Sequence, residues 1–168
     1  FKPGTMPAQL TQMLHEFPFP DFKANQQCDF RRLSWGMTQE QVETLEYLAP
    51  AATGINPSGT TYHIYGYTNC MGKRARLTHN FLSDQYVRGD YLISGSSIEE
   101  YKKVRADLEN YYGAPALADE AENISYAGWS LPDKFLNLVF YPDHSQYGSL
   151  FTLTFVDPKH PEVQDGLF

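Results

Sequence analysis

Apolar residues recur along this chain at two different spacings, and the switches between them outline a fold. Val42, Leu45 and Leu48 fall three apart, which gives one face of a helix from about Gln39 until Pro50 stops it. Ile98, Tyr101, Val104, Leu108 and Tyr111 repeat at three and four, a longer amphipathic helix over about 97–112. Its ends carry their own signals. Ser97 with Glu100 makes a capping box, Gly113 suits a left-handed C-terminal position, and Pro115 blocks continuation. Thr38 with Gln41 forms the same box in front of the first helix.

Between and after the helices the period changes to two. Strands are expected at about 60–69, 73–82 and 86–94, with turns at Met71-Gly72 and Ser83-Asp84-Gln85. Hairpins centred on those turns place Tyr62, Ile64, Ala75, Leu77, Phe81, Val87, Tyr91 and Ile93 on one apolar face, with His79 as a hydrogen-bonded core histidine among them. A second meander is expected at about 124–130, 134–141 and 150–156. Centred on Leu131-Pro132-Asp133, it gathers Ile124, Tyr126, Leu136, Leu138, Phe140, Phe151, Leu153 and Phe155. The stretches 51–59 and 116–123 read as loops, and 157–168 as tail. The pattern predicts an α+β domain: an antiparallel sheet of about six strands in two meanders, with two helices on one face (αβββαβββ). Residues 1–27 stand apart as an amino-terminal arm with a short helix and a Phe17-Pro18-Phe19-Pro20-Asp21-Phe22 run, and 28–168 form the domain.

The outer faces of the two meanders differ. On the first, Tyr65, Tyr67 and Tyr86 mix with Arg74, Arg76 and Arg88, the residue types that dominate binding hot spots. The competing reading is an ordinary polar sheet face with cross-strand Tyr–Arg contacts. On the second, Trp129, Phe135, Val139 and Tyr141 are expected to point away from the helices and to need cover. The arm, with Phe17, Phe19 and Phe22, is the expected cover; a second copy, hence a homodimer, or another partner are the alternatives.

Composition narrows the function. A chain of 168 residues buries a core without a metal or disulfide framework. The net charge of −7 argues against nucleic acid and anionic membrane as general partners, and no apolar run reaches the length of a membrane-spanning helix. The chain starts at Phe rather than Met, so its start reads as a processed or a cloning boundary, which leaves room for a removed signal that the sequence does not show. Cys28 and Cys70 match no metal pattern. They read either as two buried thiols or as one disulfide in an oxidising compartment.

No phosphate-binding glycine loop, nucleophile elbow, zinc-protease helix or calcium loop occurs, so no cofactor is expected, and the five histidines are scattered over unlike elements. Asp133 lies about 25 Å from Asp143 and His144, at the far end of the intervening strand. Glu99 and Glu100 serve a helix N-terminus, and Arg31-Arg32 reads as a solvated strand edge.

The segment Trp35-Gly36-Met37-Thr38, leading into a helix with Glu40 and Val42, resembles a loose family of small bacterial envelope domains. It includes outer-membrane-assembly lipoproteins, β-lactamase-inhibitor-protein-like domains and many secreted proteins of unassigned activity. The Tyr112-Gly113-Ala114-Pro115 helix end after a meander resembles the same family. The resemblance implies a periplasmic or secreted, non-enzymatic binding or structural protein, with a protein or peptide partner on the Tyr/Arg face. The rival expectation is an enzyme, for instance a hydrolase, with a site assembled across loops.

Overall fold

The computed structural model describes residues 29–46, 49–70, 73–144 and 148–164. Within them the elements are α1 (Gln39–Glu46), β1 (Ala52–Ile55), β2 (Thr61–Cys70), β3 (Lys73–Leu82), β4 (Gln85–Ser94), α2 (Ile98–Tyr112), β5 (Leu117–Glu120), β6 (Ser125–Ser130), β7 (Phe135–His144) and β8 (Gly148–Val156). A 3-10 turn follows at Pro161–Gln164. The strands form one open antiparallel sheet in the order β1-β2-β3-β4-β8-β7-β6-β5. Each helix is followed by a four-strand meander, and the last strands of the two meanders, β4 and β8, meet at the centre of the sheet. The expected α+β class holds, with eight strands instead of about six.

The two extra strands sit at the edges, β1 within 51–59 and β5 within 116–123. Their sequences, Ala-Thr-Gly-Ile and Leu-Ala-Asp-Glu, are almost wholly exposed. With no buried face they carry no period-two signal; backbone pairing to β2 and β6 alone makes them strands.

Both helices start as their sequences direct. Thr38 Oγ1 accepts the Gln41 N–H at 3.2 Å, and the Gln41 side chain accepts the Thr38 N–H at 2.9 Å. Ser97 and Glu100 reciprocate in the same way at the start of α2. Val42 of α1 and Tyr101, Val104 and Leu108 of α2 join one core with the inward residues of β3, β4, β7 and β8, so both helices lie on the same face. Lys73 pairs with Glu100, and Arg105 reaches Glu120 at 3.3 Å, fixing α2 to strands on either side of it.

Three local features shift strand registers from those expected. A bulge between Ile64 and Tyr67, where Gly66 has φ +80°, turns His63 and Tyr65 toward the helices and Tyr62 and Ile64 away. The β3–β4 turn has two residues, Ser83 and Asp84, with φ +50° and +58°, the geometry of a type I′ hairpin. The shift that follows, between Phe81↔Tyr86 and Asn80↔Arg88, leaves Val87 opposite no residue and turns Tyr86 inward. The β6–β7 turn runs over Leu131, Pro132, Asp133 and Lys134, pairing Ser130 with Phe135. That one-residue slip puts Ala127 and Trp129 in the core and Tyr126 on the outer face. Val87, expected in the same core, joins the outer-face cluster instead, and the other expected core residues of β3, β4, β7 and β8 are in place.

Trp129 therefore faces α2 and is not an outer-face residue: it is 2% exposed and donates its indole N–H to the Gly113 carbonyl at 2.8 Å. Phe135 does face outward, where it packs beside Val87, Val156 and Val163. Val163 belongs to the 3-10 turn, so the segment expected to be tail supplies part of the cover. The arm residues Phe17, Phe19 and Phe22 lie outside the described residues.

Candidate functional site

The segment 29–38 joins the two halves. Asp29 and Phe30 bond back to Leu33 through backbone groups, and the Asp29 side chain accepts the Trp35 N–H at 2.7 Å. Gly36, with φ +90°, donates to the Tyr86 carbonyl, and Met37 accepts the Tyr86 N–H. Trp35 stacks on Tyr86 with ring centres 5.2 Å apart, and its indole N–H reaches the Asp133 carbonyl at 2.9 Å. Lys134 Nζ donates to the Asp29 carbonyl at 2.8 Å. The Trp-Gly-Met-Thr stretch is thus a clasp between the β3–β4 and β6–β7 turns.

Beneath this clasp lies a buried polar cluster. Arg31 is not at a solvated edge: it is 2% exposed, with φ +58°. Its Nε donates to Glu46 Oε1 at 2.9 Å and its Nη1 to the Tyr91 hydroxyl at 2.8 Å. His79 Nε2 stands 3.6 Å from the same Glu46 oxygen, and His79 Nδ1 is 2.8 Å from the Tyr86 hydroxyl. Phe30, Tyr65 and Tyr86 pack edge-on around the imidazole. Burial alone would raise the Glu46 carboxyl, but Arg31 and His79 outweigh it and hold the group at about 2. Burial pushes His79 below its ordinary value against the pull of Glu46, so at neutral pH Arg31 carries the positive charge that neutralises Glu46.

The six residues of the expected Tyr/Arg face divide. The first bulge makes Tyr65 a core residue at 7% exposed, and the hairpin shift does the same to Tyr86 at 0%. Arg88 stays on the outer face but is 1% exposed. It bonds Asp90 at 2.8 Å and the Val163 carbonyl at 2.7 Å; Asp90 also accepts Thr154 and Asn80, and Asn80 accepts Asn56. This second network ties the β1–β2 loop, three strands and the 3-10 turn together. Tyr67, Arg74 and Arg76 remain as a surface group. Tyr67 is 63% exposed, the Arg74 guanidinium lies 3.8 Å from its ring centre, and Arg76 pairs with it across the β2–β3 ladder. Pairing along the sheet places Thr78, Leu92, Thr152, Val139, Tyr141 and Tyr126 on the same face.

An open groove of about 520 Å³ runs along α1, lined by Met37, Thr38, Glu40, Gln41, Thr44 and Leu45. The shifted Glu46 and His79 lie beneath α1 and not in this groove. Among the described residues no three His, Cys, Asp or Glu side chains are placed to hold a metal ion. Cys70 is a buried thiol pushed up to about 12 by burial, while Cys28 lies outside the described residues. Of the buried clusters the sequence signalled one member, His79 at a strand position of inward parity, which is the hydrogen-bonded core histidine expected there.

No family model matches the chain, and no curated protein matches it. Among solved structures it is similar to an extracellular protein containing an SCP domain from Bacillus anthracis str. Ames, at 11% identity and a TM-score of 0.41. The match covers 79% of this chain and 49% of that one, so the chain spans about half the length of the similar structure. No described helix is long and apolar enough to cross a membrane.

Proposed function

We propose that the chain is a non-enzymatic binding or structural module of the bacterial envelope or of a secreted protein, with a protein or peptide partner on its outer sheet face. The observation that carries this reading is the surface group Tyr67–Arg74–Arg76. A large aromatic side chain stands 63% exposed, with Arg74 stacked on its ring. Stacking lowers the entropy that each side chain loses on meeting a partner, and Tyr and Arg are the types that contribute most when buried in an interface. The half-buried outer-face residues Thr78, Tyr126, Val139 and Tyr141 are neutral or apolar, as the centre of an interface requires. The resemblance of Trp35-Gly36-Met37-Thr38 to envelope domains supports the compartment.

A photo-crosslinking residue at position 67 tests it in the full chain in a bacterial host. Position 67 should yield a covalent adduct with one discrete partner, whereas exposed position 102 on α2 should not. Equal adducts from both positions, or none from 67, would count against the outer face.

A further inference from the structure

α1 is a short helix held to the sheet mainly through Val42 and Glu46, its two buried residues, whereas α2 buries three apolar side chains along nearly twice the length. One of those two anchors is a carboxylate at the C-terminal end of its helix, where the helix dipole disfavours it. Its stability there depends on what faces it: Arg31 from segment 29–33 and His79 from β3. The remaining titratable and charged groups around His79 are His63 and Tyr65 of β2 and Tyr86, Asp90 and Tyr91 of β4.

The hydrogen-bond pattern admits a proton at only one cost. With the Tyr86 hydroxyl donating to Nδ1, the neutral imidazole carries its proton on Nε2, directed at Glu46. A second proton on Nδ1 removes the acceptor of the Tyr86 hydroxyl, which is itself fully buried. It also places a second cation beside buried Arg31, with the Glu46 carboxylate between them. Among the described residues Glu46 Oε2 and His79 Nε2 have no hydrogen-bond partner, so the junction is already short of bonds before a second proton arrives. Opening α1 is the route that gives the imidazolium water.

From this geometry we propose that the Glu46–His79–Tyr86 junction is an acid-released latch: protonation of His79 undocks α1 and segment 29–38 from the sheet, while α2 and the eight strands stay in place. The lowered His79 value agrees in direction, since a group that protonates less readily when docked is released as pH falls through its ordinary range near 6.5.

Amide hydrogen exchange read by NMR on the full chain tests it, with α2 as internal reference. Corrected for intrinsic rates, protection of the 42–46 amides relative to the 101–112 amides should fall by up to about tenfold per pH unit below 6.5. His79→Gln should abolish that dependence, and His63→Gln should keep it. Parallel loss in α1 and α2, or a dependence that survives His79→Gln, would overturn the latch. Should His79→Gln fail to fold, the side-chain titration of His79 in the unmodified chain must share its midpoint with the change in α1. Midpoints more than about one pH unit apart would overturn it equally.

Discussion

Phe30 is the residue on which the layers converge. It is 1% exposed, and its ring meets His79, Tyr91 and Phe155 on three neighbouring strands. It can lie that close because β4 has Gly89 beneath it: a Cβ there would collide with the Phe30 ring and the Tyr86 hydroxyl. Gly89→Ala should therefore cost about 1–3 kcal/mol in urea unfolding, as overpacking does, despite alanine's better fit to a strand. Glu46→Ala should cost more, roughly 3–5 kcal/mol, because one partner of a buried ion pair with Arg31 is removed. The pH profile follows from the same residues. Glu46 titrates lower when folded than its ordinary 4.5, so its contribution is complete above 4.5 and is lost as pH falls from there toward about 2. His79 is also lowered, so its contribution is complete above 6.5 and is lost as pH falls below it. Thermal melts at pH 8, 6 and 4 should decline in that order, and a maximum at pH 4 would contradict both assignments.

At the scale of elements, what was legible depended on whether a face was buried. The two helices were readable because their caps and stripes are local: Thr38–Gln41 and Ser97–Glu100 need nothing beyond one turn. Six strands were readable from alternation, and β1 and β5 were not, since they bury nothing. Registers failed wherever one residue of irregular backbone intervened, at Gly66, at Val87 and in the four-residue β6–β7 turn. Each slip exchanges the two faces of a strand, which is why Tyr65, Tyr86 and Trp129 moved inward together. Arg88 failed for a different reason: its face was right, but the 3-10 turn that buries it carries no period in sequence. Cys70 closes β2 as a buried side chain. In an exported chain we expect it to be oxidised with Cys28, closing a loop of roughly forty residues and contributing about 4 kcal/mol. Alkylation of the denatured chain without reductant, read by intact mass, checks this; two labelled thiols would contradict it.

As a whole the described residues form two helix-plus-four-strand units joined edge to edge through β4 and β8, with the helices on one face and the 3-10 turn crossing the opposite one. The interior polar clusters lock the halves together: one under α1 holds the clasp, and one around Asp90 holds β3, β4, β8 and the carboxyl-terminal turn. Surface and core are thereby separated on the outer face, since Arg88 is committed to the structure while Tyr67 and Arg74 project from the β2–β3 hairpin with Arg76 half-buried beside them. The account stands on that separation. It is tested most directly by measuring, in one preparation, the thermal midpoint and the binding of the crosslinked partner for the double variant Tyr67→Ala, Arg76→Ala. The account predicts binding weakened by about tenfold or more, as for loss of two interface anchors, with the midpoint shifted by only a few degrees. Unchanged binding, or a midpoint lowered by many degrees, would contradict it.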